Sequence, residues 1–343
     1  MQTNCFKKST IYTLSLVAAA LMVLSAAEAS AQNLTAREHQ PARRLVTRST
    51  LEDRISFMCD SLCEGRGSGE RGGGIAAIWL QREFKRIGLM ELGEGYGHAV
   101  PLREAKYGRN IIGMLPGSKA TSRDRYVIVG AHYDHLGTLD GKIYPGADAN
   151  ASGTAALLSL AEMLSIYKDS GKTHDSNVIF VAFDAKEHDM AGSKAMWHMI
   201  ENGMLEDPQS GKPITKDKIS LMVNIDQIGC TISPLSSGRK DYIIMLGTES
   251  LKPSKRDMLS LCNRMFAIDM EIDLTYYGSR NFTRMFYRLS DQRIFIDNGI
   301  PAVLFTSGIT MNTNKTRDNA QTIDSEILRK RIFLMYHWLE KML

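Results

Sequence analysis

Four short segments of this 343-residue chain carry side chains that could hold a metal ion: His132-Tyr133-Asp134, Asp148 in the loop at 145–153, Lys186-Glu187, and Asp226. A histidine offers an imidazole nitrogen and carboxylates offer oxygens, a donor set that zinc accepts. Asp134 lies two residues beyond His132 and is placed to orient that imidazole from behind. Each residue alone has an ordinary explanation. A strand-end histidine is more often hydrogen-bonded scaffold, and an aspartate before a helix is usually a cap. The order of the segments and their shared context make coincidence the weaker reading.

The elements that must position them can be read from hydrophobic pattern. Residues 110–115, 126–130, 178–183, 221–225, 242–246 and 303–305 are short, near-continuous apolar runs, the pattern of buried strands. Helices are expected over 155–167, from about 191, and over 326–343, where Leu328, Ile332, Met335, Leu339 and Met342 recur at helical spacing. Strands of this kind alternating with helices indicate an α/β fold whose sheet is covered on both faces. In such sheets functional groups collect at the carboxyl ends of strands, where the candidate segments fall.

Nearer the N-terminus, Ser49-Thr50-Leu51-Glu52 has capping-box spacing and predicts a helix to about residue 62; a second helix is expected over 75–87. The glycine-rich loop between them contains Gly67-x-Gly69-x-x-Gly72. A dinucleotide fingerprint would need a strand before it, and here a helix precedes. No Lys-Ser/Thr pair follows to make a phosphate loop, so the glycines are read as structural.

Hydrophobic residues make up 43% of the chain and charged residues 23%, ordinary for a globular protein. The net charge of +4 comes from scattered Lys and Arg, which argues against a nucleic-acid partner. Lys7 and Lys8, the apolar run at 11–27 and the small-x-small site Ala29-Ser30-Ala31 predict a signal peptide over residues 1–31. The expectation is an exported protein, periplasmic or secreted, with no membrane span after cleavage, a polar leader at 32–48 and one domain at 49–343. Cys59, Cys63, Cys230 and Cys262 would then meet an oxidising compartment. Cys59 and Cys63, four apart on the expected helix, share a face; buried free thiols are the preferred reading.

Four motifs give the sequence a recognisable character: Glu64-Gly65-Arg66-Gly67, Asn110-Ile111-Ile112-Gly113-Met114-Leu115-Pro116-Gly117, Gly130-Ala131-His132-Tyr133-Asp134-His135-Leu136-Gly137, and Gly299-Ile300-Pro301-Ala302. With them, residues 51–343 resemble the zinc aminopeptidase family that includes bacterial leucyl-type aminopeptidases, glutamate carboxypeptidase and the glutaminyl cyclases. The resemblance implies a three-layer α/β/α sandwich around a mixed, mostly parallel twisted sheet. It also implies a centre of two zinc ions that hydrolyses peptides from their N-termini.

The resemblance assigns five ligands and a general base, and this chain keeps only part of the set. His132, Glu187 and Asp226 stand at ligand positions. The bridging aspartate position is Ala149, the general-base position is Lys186, and the last histidine position, counted back from Asp318, is Asn314, with Lys315 beside it. Losing the bridge leaves one ion two protein ligands and the other a single strong one, whereas catalytic zinc normally has three plus water. A lysine with a reference pKa of about 10.4 cannot take a proton at neutral pH. The expectation is weak or absent zinc, impaired or absent hydrolysis, and a peptide or protein ligand in the old cleft. The alternative is an active exopeptidase in which Asp148 replaces the bridge and a desolvated Lys186 loses its proton.

Overall fold

The computed structural model describes residues 39–117, 124–172, 174–231, 238–276 and 278–343. The expected signal peptide, and the leader as far as residue 38, lie outside the described residues. Among those described, no helix is long and apolar enough to cross a membrane.

The strands are β1 (Met90–Glu91), β2 (Gly97–Pro101), β3 (Tyr107–Leu115), β4 (Tyr126–His132), β5 (Thr138–Leu139), β6 (Lys142–Ile143), β7 (Asn177–Phe183), β8 (Ile219–Ile225), β9 (Tyr242–Leu246), β10 (Glu271–Asp273) and β11 (Ala302–Thr306). The helices are α1 (Gln40–Leu45), α2 (Arg48–Cys59), α3 (Arg71–Ile87), α4 (Ser152–Asp169), α5 (Ala191–Glu201), α6 (Pro253–Met265), α7 (Arg280–Tyr287), α8 (Gln292–Asp297) and α9 (Ser325–Met342).

Nine strands form one mixed sheet in the order β1-β3-β7-β4-β8-β11-β9-β10, with β2 also paired to β3. The central four, β7-β4-β8-β11, are parallel, and antiparallel pairings join them on both sides, β3 to β7 and β9 to β11. Alternate residues serve opposite faces. Val127, Val129 and Ala131 pack with α2, α3, α4 and α9 in the larger core, while Tyr126 and Ile128 pack with Met196, Trp197 and Phe295 of α5 and α8. The expected α/β/α sandwich is therefore present, and its two-sided burial explains the uninterrupted apolar strands.

Within the segment expected as a polar leader, α1 covers Gln40–Leu45, and Ala42 and Val46 are buried in the domain core. Two local expectations are corrected. The first long helix is capped two residues early, by Thr47 and Thr50, whose hydroxyls exchange bonds with each other's backbone N–H, not by Ser49 and Glu52. That helix ends at Cys59, so Cys63 sits in the following tight turn and the two do not share a helical face. All four described cysteines are free thiols.

Candidate metal centre

Parallel pairing of β7, β4 and β8 brings their carboxyl ends side by side, with His132 opposite Phe183 and Gly130 opposite Asn224. His132 closes β4, Asp226 directly follows β8, and Lys186-Glu187 lie in the turn after β7. The three remnant ligand positions thus meet at one edge of the sheet.

His132 is fully buried between two carboxylates. Its Nε2 lies 3.3 Å from Asp226 Oδ1, and its Nδ1 lies 3.1 Å from the Asp134 carbonyl and 3.4 Å from Asp134 Oδ1. Burial pushes the imidazole down, but Asp226 and Asp134 outweigh it and hold it up at about 10. Asp226 is opposed by burial too, yet His132 and Lys186 keep its carboxyl well below the usual range. Asp134 also accepts the backbone N–H groups of Lys186 at 3.0 Å and Glu187 at 3.1 Å, so one carboxylate orients the histidine and fixes the turn after β7.

Lys186 occupies the charge-bearing position. Its ammonium lies 3.0 Å from Glu187 Oε1. Burial works against the charge, but Asp226 and Glu187 hold its pKa well above the ordinary lysine value. The desolvated, neutral lysine of the alternative is not what these neighbours favour.

Ala149, which the resemblance sets at the bridging position, offers only a methyl group. Its loop is clamped by Asp318, whose two oxygens accept the N–H groups of Asp148 at 2.9 Å and Ala149 at 3.1 Å. Asp148, the substitute bridge of the alternative, has its Oδ1 taken up by Gly229 N at 2.8 Å and Cys230 N at 3.1 Å, while its Oδ2 is buried without a hydrogen-bond partner among the described residues. Burial and the neighbouring Asp318 push the Asp148 carboxyl up to about 6. Asn314 lies in the left-handed region at φ 59° and is exposed, and it lines the same cavity of about 230 Å³ as Lys186 and Asp226. Lys315 turns away and donates to the Met311 carbonyl at 2.8 Å.

The donor set does not fit a two-zinc centre. Among the described residues, no three ligand atoms drawn from His132, Glu187 and Asp226 with their acidic neighbours come within 4.8 Å of one another. Glu187 is engaged by the Lys186 ammonium at 3.0 Å, which an ion at that carboxylate would have to displace.

Several supporting residues had no readable signal. Asn150 donates to the carbonyls of His132 at 3.2 Å and Ile225 at 2.9 Å, lacing the loop to two strand ends. Arg66 is buried and donates to the carbonyls of Met58, Tyr133, Pro145 and Gly146. Gly72 belongs to packing: a Cβ there would stand 2.0 Å from the Cys63 carbonyl oxygen.

Comparison with known proteins agrees with this architecture. Residues 110–339 match peptidase family M28. Leucine aminopeptidase 1 of Sclerotinia sclerotiorum is 25% identical over 253 residues, covering 68% of this chain and 58% of that protein. Nicalin of Caenorhabditis elegans is 32% identical over 127 residues, covering 35% of this chain but 22% of that protein. The chain therefore spans little more than half the length of the first of these relatives and less than a quarter of the second. Among solved structures, LapB of Legionella pneumophila superposes with a TM-score of 0.66 at 15% identity, over 89% of this chain and 74% of that one. The zinc aminopeptidase of Bacillus subtilis gives 0.63 at 14% identity, over 87% and 95%. The glutaminyl cyclase of Porphyromonas gingivalis gives 0.61 at 15%, over 87% and 99%. Identities this low establish the shared fold alone.

Proposed function

The chain belongs to peptidase family M28, and from that premise we propose that it is an exported, non-hydrolytic member that binds peptide in a metal-free cleft. The observation that carries this reading is the pairing of Lys186 with Glu187 at 3.0 Å, beside the pairing of His132 with Asp226 at 3.3 Å. In a zinc centre, metal charge balances the carboxylates. Here two side-chain cations, Lys186 and His132, stand among the carboxylates of Glu187, Asp226 and Asp134, so side-chain cations supply most of the charge that metal would otherwise bring.

The rest of the site supports the same reading. Hydrolysis requires an activated water and a group to receive its proton. The residue at the base position is an ammonium, which can only donate, and the bridge position is a methyl group. A missing general base typically costs roughly 100- to 10,000-fold in rate before any loss of metal is counted. Asp148, the carboxylate nearest in sequence to Ala149, already has its Oδ1 committed to the backbone of Gly229 and Cys230. What remains is a cavity with apolar walls and an ion-paired polar floor, suited to holding a side chain without cleaving its peptide.

The test is hydrolysis of leucine p-nitroanilide by the protein from residue 32 onward, with zinc added and with EDTA. Product release no faster than in EDTA is the expected result. A zinc-dependent, EDTA-sensitive rate lost in Glu187→Ala would overturn the reading and make the protein an exopeptidase with an altered site.

A further inference from the structure

Beside the cleft, α7 and the loop at 308–317 form a rim that neither metal ligation nor core packing explains. Phe282, Met285, Phe286 and Leu289 follow i, i+3, i+4, i+7 spacing, one face of α7 continued just past its end. Phe282, Met285 and Leu289 are 53%, 48% and 50% exposed. Single exposed apolar residues need no explanation. Three on one stripe, joined to a cavity, form a patch of the kind that marks an interaction site. The junction is direct: Phe286 stacks on Tyr276 with ring centroids 3.8 Å apart, and both line the cavity with Leu289 and Ile309.

The rim is also one-signed. Residues 274–289 and 308–317 contain Arg280, Arg284, Arg288, Lys315 and Arg317 and no Asp or Glu, in a chain with 42 basic and 38 acidic residues. Arg288 is paired with Asp297 at 2.7 Å, and Lys315 and Arg317 are tied to the Met311 carbonyl. Arg280 and Arg284 are exposed and make no ion pair among the described residues.

We propose that this rim docks an acidic peptide segment, one apolar side chain of which enters the cavity while flanking Asp or Glu side chains meet Arg280 and Arg284. Charge complementarity selects the sign of the partner. The cavity of about 230 Å³ selects its shape, since it accepts a side chain and offers nothing to a flat surface. An anionic bilayer would meet the same arginines, but α7 has 8 residues, short beside the longer amphipathic helices that lie in membrane interfaces. The proposal rests on the reading that the cleft holds peptide without metal. Zinc uptake strikes at that reading alone, whereas the test here, run in EDTA, reads charge selectivity.

The probe is a fluorescein-labelled, acetylated peptide with a central leucine between runs of glutamate, compared with its lysine counterpart by anisotropy. The glutamate peptide is expected to bind at least about ten-fold more tightly, and to weaken several-fold as salt rises from roughly 50 to 300 mM. Arg280→Glu with Arg284→Glu should remove the preference, and Phe282→Ser with Met285→Ser should weaken both peptides. All four side chains are exposed, so these variants keep the fold. Equal binding of the two peptides, or no change in the variants, would overturn the proposal. So would binding to phosphatidylserine vesicles with none to either peptide, which would make the rim a membrane-facing surface.

Discussion

Asp148 Oδ1 accepts the backbone N–H of Gly229 at 2.8 Å, which engages one oxygen of the carboxylate that would have to stand in for the bridge. The same oxygen accepts from Cys230 at 3.1 Å, so the aspartate is a buried staple between the Ala149 loop and the segment after β8. Asp148→Ala would leave two buried N–H groups unpaired and should cost about 2–3 kcal/mol, while Asp148→Asn, which keeps an acceptor oxygen, should cost about 1 kcal/mol. Urea unfolding of the three proteins checks the order. Equal losses would mean that the bonds to Gly229 and Cys230 do not form.

Lys186 is the second support of the metal-free floor. Removing its charge in Lys186→Met leaves Glu187 without its cation and Asp226 with His132 alone. The expected loss is about 1–3 kcal/mol, at the lower end of buried-pair values because the lysine is partly exposed. Thermal unfolding at neutral pH reads it. A variant as stable as the parent would show that the ammonium contributes nothing to the cluster.

The metal site should return only when its parts return together. Lys186→Glu alone leaves Ala149 in place and should add no tightly bound zinc. Ala149→Asp, Lys186→Glu and Asn314→His combined restore three protein ligands to each ion and should bind at least one equivalent. Titration calorimetry separates the two. Tight binding by the single variant would mean the bridge is dispensable.

Arg66 sits under the site, not in it. Its guanidinium donates to four carbonyls, those of Met58, Tyr133, Pro145 and Gly146. A lysine ammonium cannot match that planar fork, so Arg66→Lys should lose more than about 3 kcal/mol, nearly as much as Arg66→Ala. Rescue by lysine, seen as a near-parental denaturation midpoint, would contradict the assignment.

His135 gives a pH signature. Burial, then Arg66 and His132, push its imidazole down to about 3, although Asp134 pulls the other way. The unfolded chain therefore takes up this proton first, and the contribution of the neutral ring is complete above about pH 6.5 and lost as the pH falls toward 3. Between pH 6 and 4, the parent should lose roughly 1 kcal/mol per pH unit more than His135→Leu. Parallel stability curves would contradict it.

What the sequence disclosed follows from where each signal resides. The central strands were legible because burial on both faces demands unbroken apolar runs, as in 178–183 and 221–225. His132, Glu187 and Asp226 were legible because they stand at the ends of such runs. The edge strands β2 and β10 and the helices α6 and α7 were not, since 97–101 mixes polar and apolar residues and 275–290 intersperses arginines with aromatics like a surface loop. The bonding roles of Asn150, Arg66 and Asp318 escaped because their partners are backbone groups tens of residues away. Nothing in the type or spacing of a single asparagine or arginine announces such bonds.

The most direct test of a cleft whose carboxylates are paired without metal is the zinc content of the purified chain from residue 32 onward, after dialysis against trace zinc and measured by inductively coupled plasma mass spectrometry. Paired as they are, Lys186 with Glu187 and His132 with Asp226, these residues should leave the protein with far less than one equivalent, and added zinc should not raise its melting temperature. One or two equivalents that survive dialysis would contradict the account, because the ion would then have displaced the Lys186 ammonium from Glu187.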